Sequence, residues 1–195
     1  MLEAIPNVLT AQHTGGGKVE QYFVRGFDAD HGTDLAVYFD GVPVNLRSHA
    51  HGQGFLDLRF VTPETIDRLD ATKGPYDARY GDFATAATIE YVPAASMPES
   101  QIRASYGEFD TFRAVGVFSP RHGAFESGGP ARGFLSFEAY QTNGPFENDE
   151  NLERYSAMAR GEIDLRPDLT ISGHVLGYYA NWDASGFLPN ELVRV

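Results

Sequence analysis

The sequence predicts two units of different texture: a compact α+β unit over residues 1–93 and a run of antiparallel β-hairpins over residues 94–195. Three observations carry this. Glycines punctuate the first half at short intervals, from Gly15-Gly16-Gly17 to Gly81, so its elements are short and its loops tight. Apolar and polar residues alternate at period two through the second half, the spacing of strands with two unlike faces. Between the halves lies Val92-Pro93-Ala94-Ala95-Ser96-Met97-Pro98-Glu99, whose prolines interrupt strand pairing.

In the first half, residues 19–25 and 35–39 read as strands, and Asp40-Gly41 between Phe39 and Val42-Pro43-Val44 is a two-residue hairpin signal. Thr62-Pro63-Glu64 supplies a cap, a proline at the first helical position and an acid in the first turn, which predicts a short helix through about Asp67. Residues 69–72 and 87–92 read as the later strands of this unit.

In the second half, alternating segments cover residues 101–107, 111–119, 133–142, 155–165 and 169–181. In the last, Leu169, Ile171, Gly173, Val175, Gly177 and Tyr179 share an apolar or small face. Arg166-Pro167-Asp168 reads as a tight reversal, whereas residues 143–154 read as a long, acidic, solvent-seeking loop. Short turns at one end and long loops at the other are the asymmetry of an outer-membrane barrel. Tyr106, Phe109, Tyr140, Phe146, Tyr155, Tyr178, Tyr179 and Trp182 fall near strand ends, where aromatic girdles sit. A soluble antiparallel sandwich alternates in the same way, so the pattern leaves both readings open.

Composition excludes other classes. A net charge of −12, with fifteen scattered basic residues, argues against nucleic acid, because a phosphate backbone needs clustered cations. The absence of cysteine excludes a disulfide scaffold and thiolate metal sites. No window approaches eighteen consecutive apolar residues, which excludes a transmembrane helix but not barrel strands. The start, Met1-Leu2-Glu3-Ala4-Ile5-Pro6, lacks the basic and apolar regions of a signal peptide.

Six blocks then occur in order: Gln21-Tyr22-Phe23-Val24-Arg25-Gly26-Phe27, Asp30-His31-Gly32-Thr33-Asp34, Phe39-Asp40-Gly41-Val42-Pro43-Val44-Asn45, Ser48-His49-Ala50-His51-Gly52-Gln53-Gly54, Pro63-Glu64-Thr65-Ile66, and Lys73-Gly74-Pro75 with Arg79-Tyr80-Gly81-Asp82. In this order they resemble the plug domain of TonB-dependent outer-membrane receptors. Trp182-Asp183-Ala184-Ser185-Gly186 with Pro189 resembles a surface loop of one subgroup. The resemblance implies an α+β plug domain followed by antiparallel β-hairpins of an incomplete transmembrane β-barrel, in the outer membrane of a Gram-negative bacterium. Its implied partners are a TonB-type energy-transducing protein, a small-molecule ligand such as a siderophore, cobalamin or glycan, and outer-membrane lipid.

The resemblance also implies positions. Ligand contacts fall on the plug apices, here residues 15–18, 28–34 and 47–53, with Lys18, Asp28, His31, Asp34, Arg47, His49, His51 and Gln53 as candidates. Basic residues at the positions of Arg25 and Lys73 face acids on the barrel wall, on middle strands that this chain lacks. Asn7 stands where the family has Gly and tolerates a left-handed turn, whereas Ala87 in place of Gly is costlier if its φ is positive. A plugged barrel has about 22 strands of about ten residues. About 100 residues follow the prolines, enough for five strands under that spacing, so a truncated or partial chain is expected.

His31, His49 and His51 are the one cluster suggestive of a metal, since imidazole suits Zn, Cu, Ni or ferric complexes. Gly52-Gln53-Gly54 implies an irregular loop and no third ligand stands at fixed spacing, so no metal ligand set is assigned and no cofactor is expected. Gly15-Gly16-Gly17-Lys18 lacks the outer glycine and the following Ser or Thr of a phosphate loop. No hydrolase motif or paired-carboxylate constellation is present, so catalysis is not expected. The rival to a transporter fragment is a soluble β-rich binding or structural domain.

Overall fold

The computed structural model describes residues 1–12, 15–126 and 129–184. Its twelve strands form three sheets. The first holds β1 (Val8–Ala11), β2 (Gln21–Val24) and β3 (Phe27–Asp28), all antiparallel. The second has the order β5-β4-β7-β6, from β4 (Leu35–Phe39), β5 (Val42–Pro43), β6 (Ile66–Lys73) and β7 (Ala87–Pro93), with β4 and β7 parallel. The third is a five-stranded antiparallel meander of β8 (Gln101–Gly107), β9 (Thr111–Phe118), β10 (Ala131–Thr142), β11 (Leu152–Arg166) and β12 (Leu169–Asn181). Among the described residues the meander is open, with β8 and β12 at its edges.

The local chemistry explains the turns. Phe39 pairs directly with Val42, so Asp40 and Gly41 form a two-residue hairpin, and their φ angles of 50° and 77° match a turn that needs both positive. Arg166 pairs with Leu169 across Pro167-Asp168, the tight reversal expected there. Asn7 does adopt the left-handed region, at φ 64°. Ala87 is not among the positive-φ residues, so its Cβ carries no strain.

The predicted helix after Thr62 is only a 3₁₀ turn, Pro63–Thr65, and Ile66 is already extended. Here the sheet wins over helix propagation, because β6 gains an antiparallel ladder with β7, interrupted only by a register shift between Ile66 and Arg68. The helical content of this unit is confined to 3₁₀ turns among the described residues. β1 and β3 escaped sequence reading because four and two residues are too short to show a period.

The meander turns one face to the plug-like unit and the other outward. Val115, Val117, Phe134 and Met158 join Val24, Leu35, Val37, Phe39, Leu56 and Ile89 in one continuous core. The opposite face exposes apolar groups in rows across the register: Ile102, Gly116, Phe137, Ala157 and Gly177 stand side by side, as do Phe118, Leu135, Ala159 and Val175. Val175 is 75% exposed and Leu135 57%. Of the aromatic residues near strand ends, Tyr106, Phe109, Phe146, Tyr155 and Tyr179 are exposed. Tyr140, Tyr178 and Trp182 are half-buried instead.

The loop over residues 143–151 is not simply solvated. Glu150 is 2% exposed. Its carboxylate accepts the Gly16 backbone N–H at 3.1 Å, and its carbonyl accepts the Asp183 N–H at 2.7 Å. A Cβ at Gly15 or Gly144 would collide with the Glu150 carboxyl group. The glycine run therefore does receive an anion, but one supplied by the protein itself, and a tertiary partner is what takes Glu150 out of water.

Candidate functional site

The apex of the plug-like unit is built on Asn45. Its side-chain amide donates to the carbonyls of Gly32, Leu35 and Gly54 at 3.1, 2.9 and 2.9 Å, and its oxygen accepts the Val37 N–H at 2.8 Å. One side chain thus ties the loop before β4 and the loop over residues 47–53 to the second sheet. A bridge between Leu46 and Phe55 closes the second loop, with the Leu46 N–H donating to Phe55 at 2.9 Å and the Gly54 N–H donating to Leu46 at 2.8 Å. Gly32, at φ 112°, lets the two loops touch, since a Cβ there would lie 2.5 Å from that of Leu56.

Between these loops and the end of β12 lies a pocket of about 500 Å³ lined by Lys18, His31, His49, His51, Phe55, Arg59 and Trp182, among others. His31 is 9% exposed, and its Nδ1 lies 3.0 Å from the Glu20 carbonyl oxygen. His49 stacks on Phe55 at 3.9 Å between centroids, and its Nδ1 accepts the His51 backbone N–H at 3.1 Å. The His31 and His51 rings meet edge to face at 4.5 Å.

At the other wall, Arg59 forms a fork with Asp57, its Nη2 being 2.7 Å from Oδ2 and its Nε 3.0 Å from Oδ1. Nη1 donates to the Gly16 carbonyl at 3.2 Å, and the guanidinium lies 5.6 Å from the centre of the Trp182 ring. Burial works against the charge of Arg59, but the hydrogen bonds it donates to Asp57, with the charge of that carboxylate, outweigh it and hold the guanidinium above its usual range. Gly17 packs on the Trp182 ring so closely that a Cβ would fall 2.1 Å from it. Among the described residues the buried Trp182 Nε1 has no hydrogen-bond partner.

The fold brings together Lys18, His31, His49 and His51 of the residues expected at the apices, and leaves the others elsewhere. Asp28 accepts from the Gln21 amide at 3.1 Å and from the Asp30 N–H at 2.8 Å, so it shapes the loop rather than lining the pocket. Asp34 is half-buried before β4, and its carbonyl accepts from Ala86 at 2.9 Å. Arg47 and Gln53 are exposed outside the pocket lining. Sequence reading missed Phe55, Asp57 and Arg59, which carry no motif of their own, whereas Gly17 falls within the expected apical loop over residues 15–18. The proposed loop resemblance beyond Trp182 cannot be placed, since Ser185, Gly186 and Pro189 lie outside the described residues.

Arg25 and Lys73 converge on the turn at Pro6 and Asn7. The Arg25 backbone N–H donates to the Asn7 carbonyl at 2.8 Å, and Lys73 Nζ donates to the Pro6 carbonyl at 2.5 Å. Arg25 is exposed, with no side-chain partner among the described residues. The ion pairs that do join the first half to the meander have the opposite polarity. Glu64 meets Arg113 of β9 through two 2.7 Å hydrogen bonds. Asp40 meets Arg160 of β11 at 3.2 Å and His174 of β12 at 3.0 Å.

Comparison with known proteins agrees with this architecture. Residues 1–88 match the family described as TonB-dependent Receptor Plug Domain. The chain is similar to a copper transporter, OprC, at 17% identity and a TM-score of 0.69, over 95% of this chain and 28% of that one. It is similar to the siderophore receptor PirA from Acinetobacter baumannii at 16% identity and 0.67, over 91% and 28%. It is also similar to FpvA of Pseudomonas aeruginosa bound to a heterologous pyoverdine, at 20% and 0.62, over 90% and 21%. The chain thus spans 21–28% of the length of these receptors. Residues 1–88 thus match the TonB-dependent receptor plug domain, and with the open meander packed on them the described residues have the fold of the plug and first barrel strands of these receptors.

Proposed function

We propose that the protein to which this chain belongs is an outer-membrane receptor that actively takes up a scarce small molecule, with residues 1–93 as its plug and 94–195 as the first strands of its barrel. It performs transport without covalent chemistry. A TonB-type protein in the periplasm supplies the energy by drawing on the plug, and the outer face of the meander lies against lipid.

The observation that carries this reading is the pairing of two unlike faces on the meander. The inner face packs on the plug, while the outer face presents apolar rows such as Ile102, Phe137 and Ala157 that no other described residue covers. A soluble sandwich buries both of its apolar faces or makes one polar. Exposed rows of this kind suit hydrocarbon.

The ligand sits at the apex pocket, with Lys18, His31, His49 and His51 as contacts and Arg59, Phe55 and Trp182 completing the wall. Cationic and aromatic groups there favour an anionic, metal-bearing ligand of the siderophore type over a neutral glycan. Growth of an iron-starved Gram-negative strain lacking its own receptors tests this, using the full-length receptor and ferric hydroxamate or catecholate siderophores. Rescue that depends on TonB is expected. A chain that stays monodisperse without detergent, together with no rescue, overturns the reading in favour of a soluble β-domain.

A further inference from the structure

Asp30, His31 and His51 bring three metal-ligating atoms within 4.8 Å of one another at the plug apex, and we infer that this trio binds a divalent transition-metal ion, Zn²⁺ or one of its Irving–Williams neighbours, directly through the protein. Binding of the ion does not require the transport reading, because all three ligands belong to the plug itself.

His31 is the anchor. A carbonyl oxygen can only accept, so the 3.0 Å contact with Glu20 puts a proton on Nδ1 and makes Nε2 the ring nitrogen that could ligate. Metal-binding histidines are held in this way, by donating the other ring N–H to a carbonyl or carboxylate. Nε2 in turn faces Asp30 Oδ1 at 3.6 Å.

Asp30 and His51 complete the set from loops that the structure shapes. Asp30 has φ 46° and its N–H is taken by the Asp28 carboxylate at 2.8 Å, an Asx turn that turns its side chain toward His31. His51 lies edge-on to His31 at 4.5 Å, its backbone held by His49 Nδ1. His49 is therefore a positioning residue, itself fixed by stacking on Phe55.

Ligand atoms around tetrahedral zinc, at about 2.0–2.1 Å from the ion, stand about 3.4 Å apart. The Asp30 and His31 atoms are already near that spacing. His51 must close the remainder, and both it and Asp30 are exposed and can move, while His31 is buried and cannot. Two imidazoles and one carboxylate select zinc, copper, nickel or ferrous iron over magnesium and calcium, which take oxygen ligands. Three protein ligands would leave a fourth position for water or donors of a small molecule, and His31 and His51 both line the pocket of about 500 Å³.

The test is titration of the full chain in detergent, free of any histidine tag and stripped with chelator, with Zn²⁺ against a chromophoric competitor. One tight Zn²⁺ per chain is expected, with no competition from a thousandfold excess of Mg²⁺. Asp30→Asn and His51→Ala, both at exposed positions, should each weaken binding at least tenfold. His31→Gln should do the same, with circular dichroism recorded alongside because the residue is buried. His122→Ala, at an exposed histidine away from the apex, should change nothing. Zn²⁺ binding that is absent in the wild-type chain, or that survives either Asp30→Asn or His51→Ala within a factor of three, overturns the assignment.

Discussion

Glu64 of the plug and Arg113 of β9 face each other through two parallel hydrogen bonds of 2.7 Å, with side chains only 11% and 25% exposed. Arg113 also reaches Glu138 of β10 at 3.0 Å, so the plug is fastened to the first strands through a shared guanidinium. A fork of this kind is stronger than a neutral hydrogen bond and fixes orientation as well as distance. Glu64→Gln should lower stability by about 1–2 kcal/mol, because Gln keeps the shape and loses the charge assistance. Chemical denaturation in detergent would read it, and a double-mutant cycle with Arg113→Gln should return most of that loss as coupling. Additive losses would mean that the pair contributes nothing specific.

Acid should loosen the same seam. The Arg113 hydrogen bonds hold Glu64 below the usual carboxylate range, with burial pulling the other way. At Asp40 burial is the larger single influence and acts to raise the value, but Arg160 and His174 together outweigh it. A depressed folded value means the unfolded chain takes up protons first. The contribution is therefore complete at neutral pH and fades as pH falls below about 4, through the folded values. Melting followed from pH 7 to pH 3 should show a smaller acid loss in the Asp40→Asn, Glu64→Gln double variant than in the wild type. Superimposable profiles would assign the acid loss to other carboxylates.

Asn45→Ala should be among the costlier single changes in the plug. It strands the Val37 N–H and three loop carbonyls that now share one amide. Leaving buried backbone groups unpaired costs about 1–3 kcal/mol for each group that water cannot reach. A loss of about 2–4 kcal/mol in a urea melt is expected on that basis. Hydrogen exchange should speed up selectively at Val37 and Gly54, and uniform exchange across the plug would argue against Asn45 as the tie between the apical loops.

Gly17→Ala should move the single tryptophan. The added Cβ would fall 2.1 Å from the Trp182 ring, and no positive φ confuses the reading at that position. Overpacking of this kind costs about 1–3 kcal/mol. Since Trp182 is the chain's only tryptophan, its emission should shift to the red as the indole leaves the pocket wall. An unchanged spectrum would mean that the glycine loop yields instead.

Arg25→Gln and Lys73→Gln should each change stability by about 0.5 kcal/mol or less, as ordinary surface substitutions do. Arg25 is exposed, and the hydrogen bond that Lys73 donates to the Pro6 carbonyl lies at an exposed site where water can replace it. Thermal melts of the two variants decide this. A loss of several kcal/mol at either position would make that residue part of the plug's own framework.

Much of the fold was legible because it depends on neighbours in sequence. Period-two alternation located all five strands of the meander to within a few residues, and Asp40-Gly41 specified its hairpin through the two positive φ angles that this dipeptide tolerates. The histidine cluster was legible as a set of ring nitrogens on two nearby loops. What the tertiary structure decided depends on partners far along the chain. Ile66 became strand because β7 was there to pair with it, and the glycine run became a carboxylate cradle because Glu150 folds back onto it. Asp30 joined His31 and His51, and Arg59 came under Trp182, through loop closure that no local pattern encodes. The polarity of the plug seam was likewise set in space. Side-chain charge is written in the sequence, but which cation meets which anion depends on how two sheets pack, and that choice put Arg113 and Arg160 on the strands and Glu64 and Asp40 on the plug.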